Sequence, residues 1–312
     1  MVPLLRARPL LYRYFHANYK KKWITPSTET EQAYKCFCEQ FNKRIPNDAE
    51  PIDANIDIVR AVPEYRKHVL LVSDIDIDLK KPVHVWKDIW ESRIEQNHQY
   101  PFDIIPKLNF GPGTLFNAIS VVSSTENLPK PSEGVYDFII LPEMKLYRIR
   151  ENDVANFNAY VNSGETRPTP KLSFNDYLSG EVYKKIEQDS KINESKVTDN
   201  YDLESLSLEN KKWSFVCGHR KRDERCGLIA PEIVEKLSTL NEDMNLAIIS
   251  HIGGHKYAGN VIFYLPHDTK DNAPHLDALW FGKVYPNNIA NIVEELNNGV
   301  IIENNFRGGI SL

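Results

Sequence analysis

Residues 213–227, WSFVCGHRKRDERCG, and residues 250–264, SHIGGHKYAGNVIFY, decide the reading of this chain. The first opens as an apolar strand and carries Cys217 and Cys226. The second sets His251 and His255 on either side of two glycines. Two soft thiolates and two imidazoles, in two tight pairs, are the ligand set of a four-coordinate metal centre, accepted by zinc and by iron–sulfur clusters alike. Eight residues separate the cysteines, and 24 separate the cysteine pair from the histidine pair. Zinc fingers usually keep their cysteines only a few residues apart, whereas a long thiolate loop spans a two-iron cluster more easily than a lone ion. Spacing alone leaves zinc, a [2Fe–2S] cluster and a coincidence of four loop residues all open.

Outward from these pairs, the last third of the chain alternates in a recognisable order. WSFVC reads as a strand, APEIVEKLSTLNE as an amphipathic helix opened by Pro231, and MNLAIISHIGG as a second strand. GNVIFYLP and LDALWFGKVY read as a hairpin, and NIANIVEELNNG as a helix ended by Gly299. The order β-α-β-β-β-α is that of a thioredoxin-like fold, one mixed sheet covered by helices. It puts Cys217 at the end of a strand, Cys226 just before a helix, and both histidines directly after the neighbouring strand. Loops at strand ends converge on one edge of such a layer. Gly253 and Gly254 are expected to supply the turn that aims both rings inward, and Gly218 and Gly227 to let backbone approach a bulky group.

On CGHRKRDERCG, SHIGGHKYAGNVIFY, VYPNNIANIVEELNNG and the terminal FRGG, this third resembles the thioredoxin-like [2Fe–2S] ferredoxins. It is most similar to the fungal sucrase/ferredoxin-like family that includes the altered-inheritance-of-mitochondria and actin-patch-distribution proteins. Other thioredoxin-like ferredoxins carry cysteines at the second pair; histidine at both positions is this family's pattern. The resemblance implies a [2Fe–2S] cluster with Cys217 and Cys226 on one iron and His251 and His255 on the other. An oxidised cluster with two thiolates and two neutral imidazoles has no net charge, whereas four thiolates leave it doubly negative. Histidine ligation therefore raises the potential, and imidazole nitrogens can couple electron to proton transfer. The resemblance further implies a role in mitochondrial thiol redox homeostasis, in the matrix, with the intermembrane space as the alternative compartment.

Neighbouring residues allow two readings each. His219 to Arg225, between the cysteines, form either a solvated loop or a basic collar for an acidic partner. His219 itself is not a ligand in the family's pattern. Arg307, Gly308 and Gly309 suggest a backbone anion nest or, preferably, a tie-down of the C-terminus. His267 and His275 fall in a polar hairpin and read as surface residues.

The N-terminal part is organised differently. Residues 1–22 contain six basic and no acidic residues, interleaved with leucines and aromatics, and read as a mitochondrial presequence. Its loss would take the formal charge from −5 to −11. Residues 29–165 read as an α/β lobe. TETEQAYKCFCEQFNK is helical, so Cys36 and Cys38 point to different sides. HVLLVSDIDIDL begins as a strand, KPVHVWKDIWESRIEQ is a helix, and NFGPGTLFNAISVVSS turns into a strand. YDFIILPEMKLYRIREN reads as one further strand broken at Pro142. Residues 166–211 are polar and read as an exposed connector with one helix near Tyr183–Ile186, and residues 212–312 form the ferredoxin-like domain.

Four cysteines among 312 residues do not make a disulfide framework and suit a reducing interior. An acidic mature chain argues against nucleic-acid binding, and no apolar run is long enough for a transmembrane helix. No nucleophile elbow, P-loop or dinucleotide fingerprint is present, and GPGTLF is too short to indicate a cofactor site. The leading expectation is an electron carrier or redox sensor that works with a redox partner protein, rather than a catalyst. The alternatives are a zinc-stabilised interaction protein and a thiol–disulfide oxidoreductase using Cys217 and Cys226. The second lacks the C-x-x-C spacing that acidifies a thiol at a helix start.

Overall fold

The computed structural model describes residues 19–24, 28–45, 50–53, 55–59, 61–73, 99–125, 127–130, 132–163, 201–219, 224–240, 243–268 and 274–312. Apolar alternation builds its centre: β2 (Lys67–Val72), β3 (Thr114–Ser123), β4 (Val135–Leu141), β5 (Lys145–Arg150) and β6 (Ser205–Ser207) lie on one side. On the other side are β7 (Lys212–Cys217), β8 (Met244–Ile249), β9 (Val261–Asp268), β10 (Pro274–Phe281) and β12 (Phe306–Ser311). All ten form one mixed sheet in the order β12-β10-β9-β7-β8-β3-β2-β4-β5-β6. A small second sheet pairs β1 (Lys20–Lys22) with β11 (Val300–Ile302) in parallel.

The pairing repeats. In the first half β2 runs parallel to β3 and antiparallel to β4, which runs antiparallel to β5. In the second, β7 runs parallel to β8 and antiparallel to β9, which runs antiparallel to β10. The halves meet where β3 and β8 pair antiparallel, so the sheet is continuous across both lobes. Helix α1 (Thr28–Asn42) precedes the sheet, α2 (Val154–Ser163) follows β5, α3 (Glu224–Leu240) joins β7 to β8, and α4 (Ile289–Asn297) follows β10.

The central strands feed two cores because successive side chains point to opposite faces. Val69 and Leu71 join Phe41, Phe157, Ile233 and Ile292, and so the four helices, in one core. Leu70 faces the other, with Tyr65, Trp213, Tyr264, Trp280 and both site cysteines. Among the described residues, no helix is long and apolar enough to cross a membrane.

Several expectations are corrected in detail. Pro231 lies inside α3, which starts earlier, at Glu224. Burial of Cys226, Gly227, Ile229 and Ala230 outweighs the one backbone bond the proline forfeits. YDFIILPEMKLYRIREN forms two strands, because Pro142 cannot extend the ladder and the chain reverses through Met144 at φ 49°. FRGG pairs as β12 on β10, with Gly309 opposite Leu279 and Gly308 opposite Trp280, so its backbone is a strand and not an anion nest. Lys20–Lys22, the last residues of the expected presequence, pair with β11, and the Lys22 ammonium meets Glu295 at 2.8 Å. Within the expected connector, Ser205–Ser207 is an exposed edge strand on β5. The helices expected at residues 81–96 and 183–186 lie outside the described residues, as does the presequence before Tyr19. Cys38 is buried and Cys36 exposed, as helical geometry requires of residues two apart.

Candidate metal centre

The parallel pair β7 and β8 ends at one sheet edge, Cys217 opposite Ile249, and that register brings the cysteine and histidine loops together. Both thiols are buried. The thiols of Cys217 and of Cys226, the latter in the first turn of α3, are hydrogen-bonded to each other. Cys217 sulfur also accepts from the backbone N–H groups of His219 and Ile252. These donors, with the Arg307 guanidinium nearby, hold the Cys217 thiol below its usual value, although burial opposes them. Cys226 is pushed well above it, first by its hydrogen bond with Cys217 and then by burial.

Above the sulfurs the chain turns through Gly253 and Gly254, at φ 74° and 71°. Two consecutive left-handed residues make the expected turn, at no steric cost only for glycine. His251 is half-buried and His255 exposed, with ring centroids 5.9 Å apart. His219, set aside by the family pattern, is also here, its ring centroid 5.3 Å from that of His251. Among the described residues, no three His, Cys, Asp or Glu side chains are grouped so as to hold a single metal ion.

Two residues that sequence reasoning did not assign to the site hold it together. Asn260 accepts the Cys217 N–H at 2.9 Å, donates from Nδ2 to Gly254 O at 2.8 Å, and reaches Cys226 sulfur at 3.4 Å. Arg307 is buried beneath the glycine turn and donates to Gly253 O at 3.2 Å and Asn260 Oδ1 at 2.8 Å. Its guanidinium also lies 5.8 Å and 5.6 Å from the ring centroids of Tyr257 and Trp280. The only sequence signal for Arg307 was its place in FRGG; nothing in the local pattern marks Asn260.

Gly218 serves packing and not a ligand: a Cβ there would lie 2.4 Å from Ile248 Cγ2. Arg225 is no part of a solvated collar, being buried and donating to Pro51 O at 3.0 Å and Glu50 Oε2 at 3.1 Å. Arg220–Asp223 lie outside the described residues.

A model of the sucrase/ferredoxin-like family matches residues 58–308, across both halves of the sheet. The chain belongs to the sucrase/ferredoxin-like family. Its relatives include a Candida glabrata protein named altered inheritance of mitochondria protein 32, 48% identical over 309 residues, covering 97% of each chain. Proteins of the same name from Saccharomyces kudriavzevii and Saccharomyces cerevisiae are 39% and 40% identical; they cover 100% and 96% of this chain and 98% and 95% of their own length. These names link the relatives to the inheritance of mitochondria. No solved structure matches it.

Proposed function

We propose that this protein is a [2Fe–2S] electron carrier or redox sensor of mitochondrial thiol homeostasis, with Cys217, Cys226, His251 and His255 as ligands. The observation that carries the reading is the buried thiol pair: two hydrogen-bonded sulfurs, one also receiving two backbone N–H groups, set beneath a loop bearing two imidazoles. Sulfur ligands of iron–sulfur clusters are tuned by such N–H donors and by burial. Two pairs of donors, rather than a convergence on one point, suit two iron positions better than one zinc ion. The order β8-β7-β9-β10 with α3 and α4 supports the thioredoxin-like assignment of residues 212–312, and the word ferredoxin in the family's name agrees with it. When bound, the cluster supplies a one-electron couple, raised in potential by its imidazole ligands. The chain's own residues do the rest: Asn260 and Arg307 hold the ligand loops in place, burial keeps water from the sulfurs, and exposed His255 offers the edge at which a redox partner and protons arrive.

The test is visible absorption and low-temperature EPR on anaerobically purified protein, with metal and sulfide analysis. Two irons and two sulfides per chain, with a signal that appears on reduction and changes in His251→Cys and His255→Cys, are expected. A colourless protein with stoichiometric zinc overturns the reading in favour of a zinc-stabilised interaction protein. The thiol pair itself favours a second reading, dithiol–disulfide exchange at Cys217 and Cys226, which gives the imidazoles no role. Metal-free active protein with two titratable thiols at these positions would establish it.

A further inference from the structure

A buried file of side chains runs from Trp280 on β10, through residues 65 and 68 of the N-terminal lobe, to the histidine loop. Trp280 Nε1 lies 3.2 Å from Tyr65 OH, and Tyr65 OH lies 2.7 Å from Tyr264 OH. Tyr264 OH lies 2.6 Å from His68 Nδ1, and His68 Nε2 lies 3.0 Å from Asn117 Oδ1. Asn117 Nδ2 then reaches Ser250 Oγ at 2.8 Å and His251 O at 3.0 Å. All five members of the file are buried.

The chemistry of its ends gives this file a single direction. Indole N–H only donates, so Tyr65 oxygen accepts from Trp280. At the other end a backbone carbonyl only accepts, and Asn117 spends its amide hydrogens on His251 O and Ser250 Oγ. Its Oδ1 must then accept, which makes His68 the Nε2–H tautomer. His68 Nδ1 therefore accepts from Tyr264, and Tyr264 oxygen accepts from Tyr65. Every donor points toward the histidine loop, and the order holds only while His68 is neutral. Burial keeps it so, lowering its pKa to about 3.

We propose that His68 and Asn117 are positioning residues through which the N-terminal lobe sets the orientation of the His251–His255 loop. At the loop entrance β3 grips the chain twice: Ser250 N–H donates to Ala118 O at 2.9 Å, and Ala118 N–H donates to Ser250 Oγ at 3.1 Å. Asn117 extends that grip by one residue, to the carbonyl of His251. The consequence for potential and spectrum rests on the cluster reading; the consequence for loop order does not.

Two readouts separate those failures. Hydrogen exchange of the amides at 250–257 reports loop order whether or not a cluster is present; the reduction potential and EPR g values report ligand geometry. Asn117→Ala and His68→Leu are expected to speed exchange of this segment by about tenfold or more, the loss of a net hydrogen bond or two. They should also shift the potential and g values. His68→Gln, whose amide can accept from Tyr264 and donate to Asn117, should restore both. If Asn117→Ala does not fold, Tyr264→Phe keeps the ring and removes the link upstream, and should change exchange at 250–257 in the same direction. Unchanged exchange in folded Asn117→Ala and His68→Leu, or in Tyr264→Phe, overturns the proposal. So does a failure of His68→Gln to restore it. Altered exchange in a colourless protein would uphold the positioning role and overturn only the cluster.

Discussion

Acidification should cost this protein stability at one identifiable residue, His68. The ring is fully buried between Tyr264 and Asn117, with Tyr65 and Phe215 against it, and its pKa falls from 6.5 to about 3, chiefly by burial. Between those values the unfolded chain binds a proton that the folded chain refuses, so stability falls as pH drops below about 6.5. From pH 7.5 to 5.0 the loss from this residue comes to about 2 kcal/mol, rising to about 3 kcal/mol at pH 4. Other titrating groups contribute over the same range, so the measurement is a difference. Urea unfolding of wild type and His68→Gln is followed at several pH values through tryptophan fluorescence, Trp213 and Trp280 both being buried. The wild type should lose about 2 kcal/mol more than the variant between pH 7.5 and 5.0. Parallel curves for the two proteins would refute the assignment of His68 as a neutral link, and with it the fixed direction of the file.

Other expectations follow from the site and the edges of the fold. Gly254→Ala combines a left-handed residue with a Cβ 2.6 Å from the Arg307 guanidinium carbon, whereas Gly134→Ala meets nothing within 4 Å. Thermal unfolding should show a cost of roughly 1–2 kcal/mol for Gly134→Ala and clearly more for Gly254→Ala, which should also perturb the visible spectrum. Arg307→Met removes a buried cation near both sulfurs; on the proposed cluster reading it is expected to lower the potential by roughly 90–140 mV, the worth of a unit charge about 5–8 Å away at an effective dielectric of about 20, which voltammetry against wild type checks. Deleting residues 1–24 strips β1 from β11 and should cost roughly 1–3 kcal/mol, with faster hydrogen exchange at Val300–Ile302. If import cleaves the chain, N-terminal sequencing of the mature protein should find a start ahead of Lys20.

The four candidate positions stood out in the sequence because thiol and imidazole chemistry, paired at short range, needs no tertiary structure to be noticed, and the structure brings their two loops to the same end of β7 and β8. The same holds for β7, β8 and the β9–β10 hairpin, whose apolar runs bounded by glycine and proline are local signals. α1 was equally plain, down to the opposite burial of Cys36 and Cys38. Local pattern failed where packing overrode it. Pro231 looked like a helix start until burial of the preceding turn carried α3 back to Glu224. Arg225 looked solvated until Glu50 and Pro51, far away in sequence, came to meet it.

Residue type and spacing thus determined which side chains could form a centre and which strands would carry them. Whether the two halves of the chain share one sheet was decided by the pairing of β3 with β8, a contact between residues more than a hundred positions apart that no periodicity encodes. That pairing brings Asn117 to the carbonyl of His251. The closing of β12 on β10 likewise puts Arg307 beneath Gly253 and Gly254. Both are long-range hydrogen bonds made by polar groups that burial obliges to find partners, and the partners exist only once the sheet has formed.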